Sequence, residues 1–446
     1  MKTYEHALIL GAGLSGEAAA HLLLNEGSKV TLLDAGKGSI SLECLEALKK
    51  RGAKLVLNAP DIPPEPYDIC IVSPGVSIDS PWLHEVKKRR IYYVSEIELA
   101  WTRSHSKIFA ITGTNGKSTT AKGCYETFAL AGQRVSLAGN YGPPLSRVVC
   151  EQPHLDWTVL EVSSFQLETI QSFRPDIGIL LNIYPNHLDR HGTIQAYTKT
   201  KATFFAHTQK TDFCIVPEEI SKSLAEGSDG QGQWRTFGRT DKADYVWDCG
   251  RIIHKGQEIA VLKESIFDND VMGPTAAAIM AAMDVCSIKR EVVEQSLCHI
   301  EPLSHRMEEV ADINGVRFIN DSKSTNMAAL RAGLKMAGKN IRLIAGGRAK
   351  EKNFERVKEM LAEHAIRVYL IGETSKEMTS TWSDIISCAQ GTTLENAVRM
   401  AWEDAKEGEL ILLSPGCASF DQFSDYQERG HHFQTIVNQL ENVEIK

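Results

Sequence analysis

The sequence of 446 residues contains no uninterrupted apolar run that approaches the length of a membrane span, and no basic N-terminal segment followed by an apolar stretch. A span needs about 18 to 20 apolar residues, and a secretory signal needs a charged segment before an apolar one. Its ten cysteines are scattered without a CxxC pair. We therefore expect a chain that stays in the cytoplasm, with no membrane partner and with its cysteines as free thiols.

Concentrated positive charge is also missing. The formal net charge is −8, and lysine and arginine are spread along the chain without a basic block. Nucleic acid is bound by clustered positive charge, so we do not expect it as a partner. A negative total still permits phosphate binding, because the backbone N–H groups of a loop at a helix N-terminus can hold an anion.

What the sequence does contain is enough ordinary globular material, 43% hydrophobic and 24% charged, for about three domains. Apolar strands alternate with helices in three successive blocks, which we place at residues 1–95, 96–300 and 301–446. This alternation favours α/β domains with doubly wound parallel sheets. Between about residues 230 and 265 the segments QWRTFG, YVWDCG and RIIHKGQEIAV instead resemble short antiparallel strands, which predicts a small side sheet.

The motif GAGLSG at residues 11–16 follows an apolar strand and begins a helix. With Asp34 after the next strand, it matches the G-x-G-x-x-G pattern that is typical of dinucleotide-binding sites. A tight turn, close backbone approach and a helix N-terminus are suited to a diphosphate, and they do not by themselves select nicotinamide. The motif alone leaves two possibilities: a nicotinamide-dependent oxidoreductase, or a protein whose substrate carries a diphosphate.

The segment ITGTNGKSTT carries a stronger chemical signal. Its glycines allow backbone N–H groups to face phosphate oxygens, Lys117 would neutralise the β- and γ-phosphates, and a hydroxyl of Ser118 or Thr119 would coordinate Mg²⁺. Ile111 occupies the leading glycine position of the strict motif, so a plain glycine-rich turn is the alternative. The residues predicted to bind ATP here are Gly113, Thr114, Asn115, Gly116, Lys117, Ser118 and Thr119.

The two glycine loops refine the domain prediction. Residues 1–95 are expected to form a Rossmann-like domain that binds a diphosphate, and residues 96–300 a P-loop ATPase-like domain that binds ATP. Residues 301–446 are expected to form a second Rossmann-like domain.

TGTNGKST resembles the ATP loop of the Mur ligases, which add amino acids to the peptidoglycan precursor. EVSSFQLE, HRMEEV, NDSKSTN and SPGCASFDQF extend the resemblance over nearly the whole chain and are most similar to the branch that adds D-glutamate. The resemblance implies an ATP-dependent amide ligase that joins D-glutamate to UDP-N-acetylmuramoyl-L-alanine through an acyl phosphate. It also implies ATP and two Mg²⁺ ions at the site, and a monomer.

The resemblance assigns the metal ligands to Ser118, Glu161, His187 and Lys201, with Lys201 carrying a carbamate made from CO₂. Glu161 closes a predicted strand, where catalytic residues of parallel sheets gather. From periodicity alone Lys201 is predicted to be a surface lysine. Lys199 is close enough in sequence that it could be the carbamylated residue instead. The catalytic residues that the resemblance implies are Lys117, Glu161, His187, Lys201, Arg306 and Lys323.

The remaining assignments also follow from the resemblance. Arg306, Asp321 and Lys323 are expected around the ATP phosphates, although Asp321 or Ser322 could equally be a helix N-cap. The resemblance makes residues 301–446 the amino-acid-binding domain, and the residues assigned to D-glutamate are Thr325, Lys350, Ser419 and Phe420. It makes residues 1–95 the domain that binds the UDP-linked substrate, and the residues assigned to that substrate are Gly13, Leu14, Ser15, Asp34, Ser73, Gly75, Asn140, Ser163 and Gln166.

Three positions depart from the family pattern. Asn186 replaces an aspartate, Ala349 stands where aspartate is common, and FDNDVMGPT has Asn269, Asp270 and Gly273 where an H-N-x-x-N pattern helps to hold adenine. The lost asparagines leave a catalytically impaired nucleotide-binding protein as an alternative. Another ligase of the same superfamily, such as a folylpolyglutamate synthase, could share the ATP loop and is a further alternative.

Overall fold

A computed structural model describes residues 2–36, 41–58, 60–351 and 353–444 of the chain. The chain divides into two compact units. The first comprises residues 1–183, 195–268 and 272–300, and the second comprises residues 184–194, 269–271 and 301–446. The described residues form three β-sheets, of five, nine and six strands, of which the first two lie in the first unit. The predicted boundaries after residues 95 and 300 stay predictions.

The first sheet is parallel throughout. Its strands are β1 (His6–Leu10), β2 (Lys29–Asp34), β3 (Lys54–Leu57), β4 (Ile69–Val72) and β5 (Tyr93–Ser95), and its helices are α1 (Leu14–Asn25), α2 (Leu42–Lys50), α3 (Pro81–Lys88) and α4 (Glu96–Trp101). The strand order is β3-β2-β1-β4-β5. The chain order reverses between β1 and β4, and ligands of doubly wound sheets bind beyond the strand ends at such a point. GAGLSG follows β1 and Ser73-Pro74-Gly75 follows β4.

The second sheet carries the phosphate-loop motif. Its strands are β6 (Lys107–Thr112), β7 (Val135–Gly139), β8 (Trp157–Glu161), β9 (Ile177–Leu180), β10 (Phe213–Pro217), β11 (Gln233–Gly238), β12 (Tyr245–Asp248), β13 (Arg251–His254) and β14 (Gln257–Val261). The strand order is β14-β13-β12-β11-β10-β9-β6-β8-β7. The helices between its strands are α5 (Lys117–Leu130), α6 (Leu145–Glu151), α7 (Ser164–Leu167), α8 (Leu188–His191), α9 (Ile194–Ala202), a 3-10 turn (Thr203–Phe205) and α10 (Glu218–Glu226), and its last strand is followed by α11 (Gly273–Val285) and α12 (Arg290–His299).

The short strands expected between residues 230 and 265 are present, and they continue the edge of this sheet. The prediction of antiparallel pairing is wrong for β11, which runs parallel to both β10 and β12. It holds for β12, β13 and β14, which are joined by the tight turns Cys249-Gly250 and Lys255-Gly256. All four turn residues have positive φ angles, as two-residue hairpins of matching twist require. Sequence alternation marks a strand, but it does not give the direction of the neighbouring strand.

The third sheet lies in the second unit. Its strands are β15 (Glu308–Ile313), β16 (Val316–Asn320), β17 (Ile341–Gly346), β18 (Ala365–Ile371), β19 (Cys388–Thr392) and β20 (Leu410–Leu413). The strand order is β15-β16-β20-β17-β18-β19, and all pairs except β15 with β16 are parallel. Its helices are α13 (Met327–Ala337), a 3-10 turn (Phe354–Val357), α14 (Lys358–His364), α15 (Ser375–Trp382), α16 (Leu394–Asp404) and α17 (Tyr426–Glu444). The predicted α/β class with doubly wound sheets is confirmed.

The hydrophobic core of the second sheet is formed by its buried central strands and by α11. The second sheet has helices on both faces, so strands such as β9 are buried along their whole length and are apolar throughout. Helix α11, with the sequence GPTAAAIMAAMDV, is apolar around most of its circumference and has ten buried residues. Such a helix belongs inside a domain. Among the helices of the described residues, none combines the length and the apolar character that crossing a bilayer requires.

Candidate active site

The phosphate-loop motif forms a loop between β6 and α5. Gly113 and Gly116 have φ angles of +146° and +87°, a region that favours glycine, and α5 begins directly at Lys117. The side chains of Ser118 and Thr119 lie in the first turn of α5 and are each 6% exposed. The Lys117 ammonium donates to the carbonyl oxygens of Gly113 (3.0 Å) and Thr114 (2.9 Å). A curled loop at a helix N-terminus with a lysine lying across it is suited to binding a polyphosphate.

Asn182, which sequence reasoning missed, holds this loop in place. Its Oδ1 accepts hydrogen bonds from the backbone N–H groups of Thr114 (3.1 Å) and Asn115 (2.9 Å), and its Nδ2 donates to the carbonyl oxygen of Asn115 (3.1 Å). Asn182 follows β9, the strand that lies beside β6. The available signal was a carboxamide just beyond the end of a buried strand, but strand order is needed to recognise it.

Glu161 is the last residue of β8, and its backbone pairs with Ile111 of β6. The side chain is 1% exposed. Asn140 donates its Nδ2 to Oε1 of Glu161 at 2.6 Å and its backbone N–H to the Glu161 carbonyl oxygen at 2.9 Å. Oε2 of Glu161 is buried and has no hydrogen-bond partner. A buried carboxylate oxygen without a partner is costly, and a hard cation such as Mg²⁺ would satisfy it.

Lys201 lies beneath the same loop. It is 1% exposed, and its Nζ donates to Oγ1 of Thr112 (3.1 Å) and to the carbonyl oxygen of Gly113 (3.0 Å). Burial, and to a smaller degree the Lys117 ammonium, holds the pKa of Lys201 well below its ordinary value, although Glu161 opposes the shift. Lys199 is exposed. The alternative of a surface lysine is therefore wrong for Lys201, and the structure separates the two lysines where periodicity did not.

Tyr197, one turn before Lys201 on α9, also packs against the phosphate loop. Its hydroxyl lies 3.2 Å from Oγ1 of Thr114, and its ring centre lies 4.9 Å from the Nζ of Lys201. The described residues contain no group of three or more His, Cys, Asp or Glu side chains that could hold a metal ion.

His187, the other assigned metal ligand, belongs to the second unit. It precedes α8 with a φ of +53°, and its backbone N–H donates to Oδ1 of Asn186 at 3.1 Å. Asn186 is 6% exposed. A carboxamide can accept this hydrogen bond as an aspartate would, so the local turn tolerates Asn186.

The GAGLSG loop has the shape that its glycines predicted. Gly11 has a φ of +92°, and a Cβ atom at Gly16 would overlap the carbonyl oxygen of Gly11. The carboxylate of Asp34 accepts the backbone N–H groups of Ala12 (2.7 Å) and Gly36 (2.8 Å). Ser73 donates its hydroxyl to the carbonyl oxygen of Gly11 at 3.0 Å. Asp34 and Ser73 therefore shape this loop.

The other residues assigned to the UDP-linked substrate differ in exposure. Leu14, at the start of α1, is 64% exposed, and Gly75 is also exposed. Gly13 and Ser15 are half-buried. Ser163 and Gln166 form a capping box at α7, in which Gln166 accepts from the Ser163 backbone at 2.9 Å and donates its own backbone N–H to Oγ of Ser163 at 3.3 Å.

In the second unit, the segment NDSKSTN follows β16. Asp321 accepts a hydrogen bond from Oγ of Ser414 at 2.8 Å, and burial raises its pKa to about 7. The Lys323 ammonium lies 3.7 Å from the ring centre of Tyr426. Arg306 is half-buried in the turn before β15. Helix α13 takes Asn326 as its N-cap, so the alternative of Asp321 or Ser322 as that cap is wrong.

Arg429, which sequence reasoning also missed, joins two of the assigned loops. It is 1% exposed, and its guanidinium donates to Oγ (2.9 Å) and to the carbonyl oxygen (2.8 Å) of Ser322. It also donates to the carbonyl oxygen of Cys417 at 3.1 Å. An arginine on a polar C-terminal helix gives no sign from sequence alone that it is buried.

The residues assigned to D-glutamate lie in the loops that follow β16, β17 and β20, three neighbouring strands of the third sheet. Arg348 and Ala418 form an antiparallel bridge with two backbone hydrogen bonds of 2.9 Å, which joins the loops that carry Lys350 and Ser419. The Nζ of Lys350 lies 3.4 Å from Oγ1 of Thr325. Ser419 is 2% exposed and Phe420 is 59% exposed. The structure therefore brings a cation, two hydroxyls and an exposed ring to one region.

The departures near α11 have local structural partners. A Cβ atom at Gly273 would overlap the indole ring of Trp247, so glycine is required there. Asn269 accepts the backbone N–H of Val271 at 3.0 Å, and Asp270 pairs with Lys335 at 3.2 Å.

Comparisons with known proteins address the family directly. A family model described as the Mur ligase middle domain matches residues 111–282, and one described as the Mur ligase glutamate ligase domain matches residues 305–417. A UDP-N-acetylmuramoylalanine–D-glutamate ligase from Pelotomaculum thermopropionicum is 36% identical over 455 aligned positions, covering 98% of both chains. A ligase of the same name from Koribacter versatilis is 33% identical over 454 positions, covering 99% of both chains.

Among solved structures, the MurF ligase from Thermotoga maritima in complex with ADP matches with a TM-score of 0.62 at 17% identity, over 92% of this chain and 95% of that chain. At this identity the likeness concerns the fold. The family models and the full-length relatives agree with the resemblance of the motifs. The chain therefore belongs to the Mur ligase family.

Proposed function

We propose that this chain is an ATP-dependent amide ligase that joins D-glutamate to UDP-N-acetylmuramoyl-L-alanine. The observation that carries the proposal is the placement of buried Lys201 and Glu161 against the loop at residues 113–117. A phosphate loop alone would suit many nucleotide-binding proteins, whereas a buried amine and an unpartnered carboxylate oxygen beside it suit phosphoryl transfer to an acid. The full-length relatives named as ligases of this specificity support the choice of substrates.

The chemistry explains why ATP is needed. A carboxylate does not react with an amine at neutral pH because it is a poor electrophile with no good leaving group. In the proposed reaction the substrate carboxylate attacks the γ-phosphorus of ATP, which releases ADP and gives an acyl phosphate. The amine of D-glutamate then attacks the acyl carbon, loses a proton and expels phosphate. The protein mainly positions the reactants and stabilises charge.

We assign the phosphate loop to ATP, with Gly113, Thr114, Asn115 and Gly116 curled around the phosphates. The backbone N–H groups of Thr114 and Asn115 stay with Asn182, and the N–H groups at the start of α5 would face the phosphates. Lys117, which now contacts the carbonyl oxygens of its own loop, would turn to the phosphates. Bound Mg²⁺ would neutralise the negative charge on the phosphoryl oxygens. The residues that would hold two such ions are Ser118, Glu161, His187 and carbamylated Lys201.

The surroundings of Lys201 support the proposed carbamylation. Burial favours the neutral amine, which is the form that attacks CO₂. A nitrogen–carbon bond forms, a proton is released, and the side chain then ends in an anionic oxygen. This change would replace a buried nitrogen donor by a ligand suited to Mg²⁺, next to the unpartnered Oε2 of Glu161.

The second unit supplies the remaining proposed roles. Arg306, Asp321 and Lys323 are assigned to the ATP phosphates and the reacting carboxylate, and arginine is suited to clamping a transferring phosphoryl group. Lys350 is assigned to the side-chain carboxylate of D-glutamate, with Thr325 and Ser419 as hydroxyl donors and Phe420 beside them.

The GAGLSG loop is assigned to the diphosphate of the UDP-linked substrate, and we do not assign it to a nicotinamide cofactor. Leu14 and Gly75 are exposed beyond the ends of β1 and β4, where the chain order reverses, and they suit direct contact with the substrate. Asp34 and Ser73 would act by shaping the loop. Because ATP and a UDP-linked precursor are the substrates, we place the reaction in the cytoplasm. The monomeric state stays a prediction.

The test is phosphate release in a complete mixture of UDP-N-acetylmuramoyl-L-alanine, D-glutamate, ATP and Mg²⁺, and in mixtures that each lack one component. We expect release only in the complete mixture, with one amide product formed per phosphate. L-glutamate and other amino acids serve as matched controls for D-glutamate. Release that does not depend on D-glutamate would overturn the proposal.

Two alternatives give different outcomes in the same assay. A folylpolyglutamate-type ligase would release phosphate with a folate and L-glutamate and would ignore the UDP-linked substrate. A nicotinamide-dependent oxidoreductase would change the absorbance of its cofactor without consuming ATP. The placement of Lys201 and Glu161 beside the phosphate loop argues against an oxidoreductase. The motifs EVSSFQLE and CASFDQF and the full-length relatives argue against a folylpolyglutamate-type ligase.

A further inference from the structure

We propose that Glu96 is a positioning residue for Glu161. It anchors the start of α6 and so holds the loop of residues 139–146, which carries Asn140 against the Glu161 carboxylate. The inference rests on the proposed function, because it treats Glu161 as a metal ligand whose orientation matters.

Glu96 begins α4, the helix that follows the last strand of the first sheet, and α6 follows β7 of the second sheet. Helices α4 and α6 pack against each other within the first unit. Glu96 is 2% exposed, and its Oε1 accepts the backbone N–H of Ser146 at 2.6 Å. Ser146 lies in the first turn of α6 and is fully buried. Glu96 therefore links the two sheets through the first turn of α6.

The loop between β7 and α6 is short and closed at its base. The backbone N–H of Gly139 donates to the carbonyl oxygen of Pro143 at 2.8 Å. Gly139 has a φ of +91°, and a Cβ atom there would overlap the carbonyl oxygen of Glu161. Asn140 follows and contacts Glu161 through both its backbone and its side chain. A shift of the first turn of α6 would therefore move Asn140 relative to the carboxylate.

The anchor that Glu96 provides needs an acceptor at Oε1 and does not depend on a negative charge. Burial raises the pKa of Glu96 to about 7, although the backbone N–H and the hydroxyl of Ser146 oppose the shift. The Ser146 N–H donates to Oε1, an acceptor that the neutral side chain also has. Glutamine reproduces the shape of a neutral glutamic acid, with one acceptor and one donor, so Glu96→Gln should keep the anchor.

Glu98 provides a matched control on the same helix. It is also 2% exposed, and its carboxylate accepts hydrogen bonds from the backbone N–H groups of Gln171 (2.5 Å) and Ser172 (2.8 Å) and from the Ser172 hydroxyl (2.7 Å). These partners lie outside residues 139–146. Removing Glu98 should therefore destabilise the first unit without changing how Asn140 meets Glu161.

The experiment compares the full-length wild type with Glu96→Ala, Glu96→Gln, Glu96→Asp and Glu98→Ala. Amide hydrogen exchange of residues 139–142, 145 and 146, the positions of this segment that carry an amide hydrogen, reports the anchor without any metal. Titration of Mn²⁺ with ADP, followed by the electron spin resonance of free Mn²⁺, reports the proposed site. For Glu96→Ala we expect faster exchange in this loop and about tenfold weaker Mn²⁺ binding, the lower end of the effect of residues that orient metal ligands.

We expect Glu96→Gln to match the wild type, and Glu96→Asp, whose shorter side chain draws the acceptor away from Ser146, to fall between the wild type and Glu96→Ala. Glu98→Ala should lower the unfolding temperature and leave Mn²⁺ binding unchanged. Wild-type exchange and Mn²⁺ affinity in Glu96→Ala would overturn the inference, as would equal loss in Glu96→Gln and Glu96→Ala. If Glu96→Ala does not fold, Glu96→Asp and Glu96→Gln decide between these outcomes.

Failure of the proposed function gives a different pattern. The wild type would then bind no Mn²⁺ with ADP and release no phosphate with D-glutamate. The exchange measurement would still test whether Glu96 anchors the loop.

Discussion

Replacing Lys201 by methionine separates a structural role of this buried side chain from a chemical one. Methionine has nearly the same length and volume, so it fills the same space beneath the phosphate loop. It cannot form a carbamate and cannot donate to Thr112 or Gly113. We expect Lys201→Met to fold and to lose at least about 99% of the ligase rate, the scale of effect of removing one group that stabilises charge in the transition state.

The structure bounds the cost to stability. Two hydrogen bonds of Lys201 are lost, each with a net contribution of about 1 kcal/mol. The Gly113 carbonyl keeps the Lys117 ammonium as a donor, and removing a buried amine offsets part of the loss. The free energy of unfolding should therefore change by less than about 2 kcal/mol, a shift that denaturant titration resolves.

The assay measures phosphate release with D-glutamate for the wild type, Lys201→Met and Lys201→Ala, with and without small carboxylic acids such as acetate and propionate. Alanine leaves space below Thr112 in which an added acid can place a carboxylate, so Lys201→Ala should regain part of its activity. Methionine fills that space, so Lys201→Met should not respond. Activity above about a tenth of wild type in Lys201→Met, or equal rescue of both variants, would refute the reasoning.

Three further perturbations have expected outcomes. Gly273→Ala places a methyl group against the buried Trp247 indole and should lower the free energy of unfolding by about 1–3 kcal/mol; an unchanged denaturation midpoint would contradict the packing argument. Burial raises the pKa of Asp321 from 3.8 to about 7, so its contribution to stability is present below about pH 4 and is lost as the pH rises through 7. The unfolding temperature of Asp321→Asn should therefore fall less than that of the wild type between about pH 5 and pH 8. Parallel plots of unfolding temperature against pH for the two proteins would count against this. Arg429→Lys cannot span Ser322 and Cys417 and should cost about 1–3 kcal/mol, whereas Arg348→Lys at an exposed ion pair should cost under about 0.5 kcal/mol; equal costs would show that burial of the guanidinium is unimportant.

Much of the fold could be predicted because its signals are local. Apolar strands that alternate with helices predicted parallel sheets, and GAGLSG and GTNGKST each predicted a loop between a strand and a helix. The error at β11 had a physical cause. The alternation of apolar and polar residues in a short strand shows which side chains face a core. The direction in which the strand pairs depends on its neighbouring strand, which lies elsewhere in the sequence.

The family motifs also indicated which residues to consider for the site, but not how each one acts. Asp34 and Ser73, which were assigned to the substrate, also form hydrogen bonds that shape the GAGLSG loop. Gln166, likewise assigned to the substrate, also forms the capping box of α7 with Ser163. A residue of a motif can contact a ligand, support the loop that makes the contact, or do both. The hydrogen-bond partners reveal the supporting role, and the substrate contacts stay predictions.

The sequence by itself determined the α/β class, the two glycine loops and the family, because backbone conformation and binary hydrophobic pattern are encoded within a few neighbouring residues. Only the tertiary structure decided that Lys201 is buried while Lys199 is exposed, that Asn182 braces the phosphate loop, and that Arg429 joins two loops of the second unit. Burial and partners of a side chain depend on elements that are distant in sequence and are brought together by strand order. The sharpest chemical features of this protein, a buried amine and an unpartnered carboxylate oxygen beside one loop, arise from that packing.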